Sequence, residues 1–146
     1  MTSVQFQIEA DPVPAARPRV TQRGMTFYPK KHTEYKGFLD EVLKTAPALK
    51  APGAVDVRIK FVMPRYKTSD HPVHRSDVDN LAKLPLDCMT KAKSGEDQRY
   101  WADDHMIIAL NAYKRFAREG EAPHTEVRAT IVTEDIEDYV DRMFEQ

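Results

Sequence analysis

Three aspartates and one lysine fall within positions 77–87 of this 146-residue chain, as Asp77, Asp79, Lys83 and Asp87. If Asp77-Val78-Asp79 is extended where it enters a helix, its two carboxylates point the same way and Val78 points towards the core. Neighbouring carboxylates repel each other unless a cation lies between them. Hard oxygen ligands suit Mg²⁺ or Mn²⁺ rather than zinc, so the stretch predicts a divalent metal site.

The residues that follow continue one face of the predicted helix. Asn80, Lys83 and Asp87 are separated by three and four positions and therefore lie on the same side. A lysine beside a carboxylate-bound metal is suited to holding a phosphate oxygen or the charge that develops on it. The alternative is structural: an aspartate often begins a helix, and Asp79 with Lys83 has the spacing of an ordinary surface ion pair. This stretch alone leaves both interpretations open.

A second acidic pair, Asp103 and Asp104, lies in "YWADDHMII", where a strand is predicted to begin. The basic segment "ARPRVTQRGMTFYPKKHTEYKGFL", then "DVDNLAKLPLDCM", then "ADDHMI" form an ordered series. In this order and spacing the chain resembles the RusA family of Holliday-junction resolvases, from about Val13 to Lys114. The combination is far more specific than any one of its parts.

The resemblance implies a homodimeric, Mg²⁺-dependent endonuclease, with Mn²⁺ as a substitute, that nicks branched DNA at four-way junctions symmetrically. It makes Asp77, Asp79 and Asp104 the metal-binding catalytic carboxylates and Lys83 the catalytic cation. Supporting roles fall to the remaining polar residues of the motifs, which are Asn80, Asp87 and Asp103. Metal-assisted hydrolysis of a phosphodiester is the implied reaction.

Charge is distributed unevenly along the chain, although the formal net charge is only −1. Residues 11–36 carry six cations and two anions, whereas residues 119–146 carry nine anions and two cations. Binding of a polyanion depends on where positive charge is concentrated. We therefore expect the N-terminal segment to hold DNA backbone phosphates through Arg17, Arg19, Lys30 and Lys31.

The composition of the chain indicates the number of domains and the cellular compartment. A chain of this length, with 41% hydrophobic and 31% charged residues, predicts a single domain over residues 1–146. One cysteine, Cys88, excludes an intrachain disulfide and favours a reducing, cytoplasmic compartment. No stretch has the length and apolar character of a signal peptide or a membrane span, so no membrane association is expected.

Hydrophobic periodicity predicts an α+β fold, with two to three helices packed on a mixed, mostly antiparallel sheet. Strands are predicted in "VQFQIEA", "AVDVRIKFVMP", "IIALNAYKRF" and "TEVRATIVTE", and two short strands around Gly24 that include Arg17 and Arg19. Helices are predicted in "KHTEYKGFLDEVLKTA", after Asp77, and in "DIEDYVDRMF". Pro85 is expected to kink the second of these.

Two other functions use the same acidic residues. One is a nucleotide phosphohydrolase, and the other is a non-catalytic protein that binds DNA junctions. For the dimer contact, the apolar faces of the Val55 to Phe61 strand and of the C-terminal helix are both candidates, as is burial of these faces within one subunit. Tyr100, Trp101 and Phe116 either stack on unpaired bases or pack in the core, and core packing is expected for at least two of them.

Overall fold

A computed structural model describes residues 2–65, 73–90 and 98–146. Within these ranges, three helices and six strands follow one another. In order they are β1 (Ser3–Ile8), β2 (Arg19–Val20), β3 (Thr26–Phe27), α1 (Lys30–Thr45), β4 (Val55–Met63), α2 (Val78–Thr90), β5 (Ile107–Phe116), β6 (His124–Ile131) and α3 (Ile136–Phe144). A single 3-10 turn (Asp104–Met106) immediately precedes β5.

The main sheet has four strands in the order β1-β6-β4-β5. β6 pairs antiparallel with both β1 and β4, whereas β4 and β5 are parallel. Two parallel strands need a crossover connection, and here α2 lies within it. The predicted α+β fold with a mixed, mostly antiparallel sheet is therefore confirmed.

One face of the sheet carries the hydrophobic core. Val4, Phe6 and Ile8 of β1 are buried while the residues between them are exposed, as the period of two predicts. The inward residues of β4 (Val55, Val57, Ile59 and Phe61) are at most 1% exposed and join one hydrophobic cluster with Leu39, Leu43, Leu81 and Leu84 of α1 and α2. The apolar face of β4 is thus buried within the subunit and is not available for a dimer contact.

The C-terminal end of α1 is fixed by the segment that follows the undescribed residues 91–97. Arg99 donates hydrogen bonds from its guanidinium group to the carbonyl oxygens of Leu43 and Ala46, the first at 2.9 Å. These carbonyls lie at the end of a helix, where they lack partners within the helix. Tyr100 and Trp101 are 3% and 0% exposed, which confirms core packing for two of the three aromatic residues considered above.

α3 contacts the opposite, more polar face of the sheet. The hydroxyl of Tyr139 donates a hydrogen bond to the buried carboxylate of Asp56 on β4. Burial and the adjacent Asp56 charge raise the pKa of Tyr139 to about 12. The apolar stripe of α3 remains largely open: Ile136, Val140 and Phe144 are 43%, 38% and 90% exposed.

The predicted hairpin around Gly24 is present, and Gly24 has a φ of 80°, which favours glycine. Its first strand is shorter than expected, because β2 begins at Arg19. Arg17 therefore lies outside the strand, and Pro18 between the two arginines has no N–H for strand pairing. α2 runs as one helix from Val78 to Thr90 with Pro85 buried inside it. Within the described ranges, no helix is long and apolar enough to cross a membrane.

Candidate active site

The first two aspartates lie at the start of α2. The carbonyl oxygen of Asp77 accepts the N–H of Leu81 at 3.0 Å, which makes Asp77 the residue that caps the helix, and Asp79 lies in the first turn. The expectation of an extended Asp77-Val78-Asp79 segment is wrong, because the helix begins at Val78. Aspartate favours helix starts and the positive end of the helix dipole, so the motif itself promotes this earlier start. Val78 nevertheless packs against the core, as predicted.

Lys114 of β5 holds the segment that leads into this helix start. Its ammonium group donates hydrogen bonds to the carbonyl oxygens of His74 and Ser76, each at 2.6 Å. His74 also accepts the N–H of Ser76 through its Nδ1 atom at 3.2 Å, and burial followed by the charge of Lys114 lowers the pKa of His74. The position of Asp77 therefore depends on a cation almost forty residues later in the sequence.

Further along α2, Asn80, Lys83 and Asp87 line the same cavity, which confirms that they share one face of the helix. The carbonyl oxygen of Asn80 accepts the N–H of Ala15 at 2.9 Å and so joins the N-terminal segment to α2. Within the described part of the chain, Lys83 forms no ion pair with Asp79. The structural alternative of an ordinary surface pair is thus not what this helix shows.

The second acidic pair lies at the 3-10 turn, which contacts α2. Asp103 caps this turn, accepting the N–H of His105 at 3.3 Å, and its carboxylate also lies 3.1 Å from the imidazole of His105. A hydrogen bond with the adjacent Asp104 carboxyl, followed by hydrogen bonds from the backbone and side chain of His105, holds the pKa of Asp103 below its usual range. Asp103 thus caps the turn, and both it and Asp104 are exposed to solvent.

The chemistry of these donors fits Mg²⁺ or Mn²⁺. Asp77, Asp79 and Asp104 offer only oxygen atoms, and all three are exposed to an incoming ion. Among residues 2–65, 73–90 and 98–146, no three His, Cys, Asp or Glu side chains are grouped closely enough to hold a metal ion. Asp77 and Asp79 lie at the start of α2 and Asp104 lies in the 3-10 turn, and the described part of one subunit does not group the three carboxylates into a metal site.

The structure separates the four basic residues predicted to bind DNA. Arg17 lines the same cavity as Lys83, whereas Lys31 lines a different one with Asp11 and Glu34. Arg19 is exposed on β2. Lys30 lies 3.6 Å from Glu34 in an exposed ion pair.

The model of the family described as Endodeoxyribonuclease RusA matches residues 9–130, which is most of the chain. The chain belongs to the RusA family. No curated protein sequence matches it.

Membership of the RusA family makes the protein an endodeoxyribonuclease and a Holliday-junction resolvase, with branched DNA as the implied substrate. This decides against a nucleotide phosphohydrolase and against a non-catalytic junction-binding protein. The match begins close to the end of β1 and extends into β6, so it includes both acidic pairs and the basic segment.

Sequence reasoning missed three residues that the structure places around the site. Lys114 was not singled out because its acceptors are backbone carbonyls, which leave no pattern in the sequence. His32 and Lys36 lie on α1. In the sequence, His32 has the spacing of a core position and Lys36 resembles an ordinary solvent-exposed charge. Their spacing of four, on the side of α1 that contacts α2, was the one available signal.

Proposed function

We propose that the protein resolves four-way DNA junctions as a homodimer, by paired symmetric nicks that depend on a divalent metal, Mg²⁺ by preference. The observation that carries the proposal is the RusA family match over residues 9–130, which includes both acidic pairs. Asp77, Asp79 and Asp104 would hold the metal. When bound, the ion supplies polarisation of the scissile phosphate and a lower pKa for an attacking water.

The chain's own side chains have separable tasks in this proposal. Lys83 would offset negative charge on the phosphate as it becomes pentavalent, which it can do because no described carboxylate neutralises it. Lys114 would act as a positioning residue, since it holds the two carbonyls just before Asp77. Arg17 and the other basic residues of the N-terminal segment would hold backbone phosphates that flank the cleaved one.

Substituting single carboxylates tests the catalytic assignment. Asp77→Asn and Asp104→Asn should each lower cleavage of a labelled four-way junction in Mg²⁺ by at least about 100-fold, since each removes charge on which transition-state stabilisation depends. Junction binding in EDTA should persist, because neutral asparagine repels DNA less than aspartate does.

Glu119→Gln, in the exposed loop before β6, is the control for loss of one negative charge and should cleave like the wild type. Cleavage retained at more than a trace level in either active-site variant would refute the metal-site assignment.

The homodimer follows from the substrate's symmetry. Resolution requires cuts in two strands of like polarity, and each chain has sequence for one acidic site. A two-fold interface presents the same site twice. Because the apolar face of β4 is buried, the exposed stripe of α3 is the remaining candidate of the two for this contact.

Mixing subunits tests the dimer. Excess Asp77→Asn chains added to wild-type protein on a supercoiled cruciform plasmid should raise the nicked product relative to the linear one, since mixed dimers make one cut. Light scattering should give the dimer mass at micromolar concentration, and Val140→Glu should lower it. A monomeric mass together with an unaltered product ratio would rule out the homodimer.

A further inference from the structure

A cavity lies between the N-terminal segment, α1 and α2. Its volume is about 540 Å³, within the range of about 300–1,000 Å³ that is typical of small-molecule sites. Its walls are formed by residues from three parts of the chain: Arg17 before β2, Tyr28 just before α1, His32 and Lys36 in the first half of α1, and Lys83 and Asp87 of α2. We call this the α1–α2 cavity.

Charge distinguishes the α1–α2 cavity from two others. It has three cations, Arg17, Lys36 and Lys83, against one carboxylate, Asp87. A cavity of about 380 Å³ beside Lys31 has two carboxylates against that one lysine, and one of about 480 Å³ near Pro123 has two arginines and two glutamates. The α1–α2 cavity is therefore the one whose lining attracts an anion.

The cations of this cavity are also available. Within the described ranges, Arg17, Lys36 and Lys83 form no ion pair with a carboxylate. Lys60, by contrast, is paired with Glu126 at 2.6 Å. Three unneutralised cations around one cavity repel one another, and a phosphate group would relieve that repulsion.

Aromatic surface lies beside these cations. The ring of Tyr28 stacks on that of His32, with centroids 4.4 Å apart and planes inclined by 15°. His32 is fixed in turn, since its Nδ1 atom accepts the N–H of Ala16 at 3.0 Å, and this places the ring proton on Nε2. Burial, followed by the charge of Lys36, lowers the pKa of His32, so the ring is neutral at neutral pH. Tyr28 itself is 48% exposed and presents a supported ring to a planar ligand.

We propose that the α1–α2 cavity binds one nucleotide of the DNA strand, with its phosphate against Lys36, Arg17 and Lys83 and its base stacked on Tyr28. Asp87 adds an acceptor that suits an amino-bearing base. The proposal deepens the proposed function, on which its biological role rests, because Lys83 belongs to both sites. Stacking of an unpaired base on an aromatic ring is sequence-tolerant, as a junction enzyme requires where strands separate.

The nucleotide pocket is tested without metal, by titrating the full-length protein with deoxyadenosine monophosphate in EDTA and following the chemical shifts of α1. Deoxyadenosine and inorganic phosphate serve as the two partial probes, and both should bind more weakly than the nucleotide. Lys36→Gln should weaken nucleotide binding by about tenfold, the usual effect of losing one charge-assisted contact. Tyr28→Leu should weaken nucleotide binding at least about fivefold while leaving phosphate binding unchanged.

Matched variants control for folding and for general charge. Tyr28→Phe keeps the ring and should bind the nucleotide like the wild type. Lys44→Gln removes a cation from the other end of α1, where Lys44 pairs with Glu41 at 3.0 Å, and should have no effect. Circular dichroism of all four variants should match the wild type, because each altered side chain is at the surface.

The outcomes separate this pocket from the junction activity. Equal binding of phosphate and nucleotide, or nucleotide binding unaffected by Tyr28→Leu, would overturn the pocket. Failure of the wild type to bind the nucleotide while it still cleaves four-way junctions would overturn the pocket alone. Nucleotide binding with no cleavage of any branched DNA would instead overturn the proposed function.

Discussion

Two charged regions of the molecule differ in whether their charged side chains are paired with one another. In the paired cluster, formed by Lys60, His124, Glu126, Arg115 and Glu121, each charge has a partner. Glu126 lies 2.6 Å from Lys60 and 3.1 Å from His124, and Arg115 donates to Glu121 from its two terminal guanidinium nitrogens at 2.7 and 2.9 Å. At the active site, Asp77, Asp79 and Asp104 are exposed, and Lys83 has no described carboxylate as partner.

The difference shows which charges serve the fold and which remain available to a substrate. Adjacent residues of β5 illustrate it: Lys114 reaches the segment before Asp77, whereas Arg115 reaches Glu121. Successive side chains of a strand point to opposite faces, so one strand serves both regions. A charged side chain that is paired within the protein is not available to bind an ion or a phosphate. The charged residues of the active site lack such pairing within the described part of the chain.

Removing one lysine from each region should give the largest contrast. Lys83→Met should lower the junction cleavage rate by about 100-fold, as expected for loss of a group that stabilises transition-state charge. Lys60→Met should leave cleavage unchanged and lower the melting temperature, because it leaves Glu126 with only His124. Single-turnover cleavage and thermal melting of both variants provide the measurements. Similar loss of cleavage in both would show that the contrast between the regions has no functional meaning.

A smaller effect is expected from the residue that connects the two regions. Lys114→Met removes both hydrogen bonds to the carbonyls of His74 and Ser76, and should slow single-turnover cleavage by about tenfold, as loss of supporting contacts around a metal site does. Junction affinity in EDTA should stay unchanged, and the Mg²⁺ concentration for half-maximal rate should rise.

Lys114→Arg is the control for Lys114→Met, because it keeps a cationic donor and should recover part of the rate. A positioning role is contradicted if Lys114→Met weakens junction binding and cleavage equally, with no change in the Mg²⁺ requirement. A melting temperature measured for both variants separates misfolding from misplacement of Asp77.

The sequence predicts the elements of this fold well, because their patterns are local. Alternation identifies β1, and the spacing of Tyr35, Leu39 and Leu43 identifies α1, whose burial matches that stripe. The start of α2 was misjudged since aspartate suits both an extended metal-binding segment and a helix cap, and only the backbone distinguishes them. Lys114 and the α1–α2 cavity depend on contacts between distant segments, for which periodicity carries no information.

The smallest predicted effect concerns the paired cluster and pH. The hydrogen bonds from Arg115, followed by the N–H of Arg118, lower the pKa of Glu121 from 4.5 to about 2. A depressed pKa stabilises the fold fully above the unfolded value of 4.5, and that contribution is lost as the pH falls towards about 2. Glu121→Gln should therefore lower the melting temperature by a constant amount near neutral pH, and by progressively less below pH 4.5. Glu119→Gln, in the same exposed loop, should show no such dependence, and cleavage at neutral pH should be unchanged in both variants. A difference in melting temperature between wild type and Glu121→Gln that stays the same over the whole acidic range would contradict this prediction. It would mean that the charge of the Arg115–Glu121 pair does not stabilise the fold.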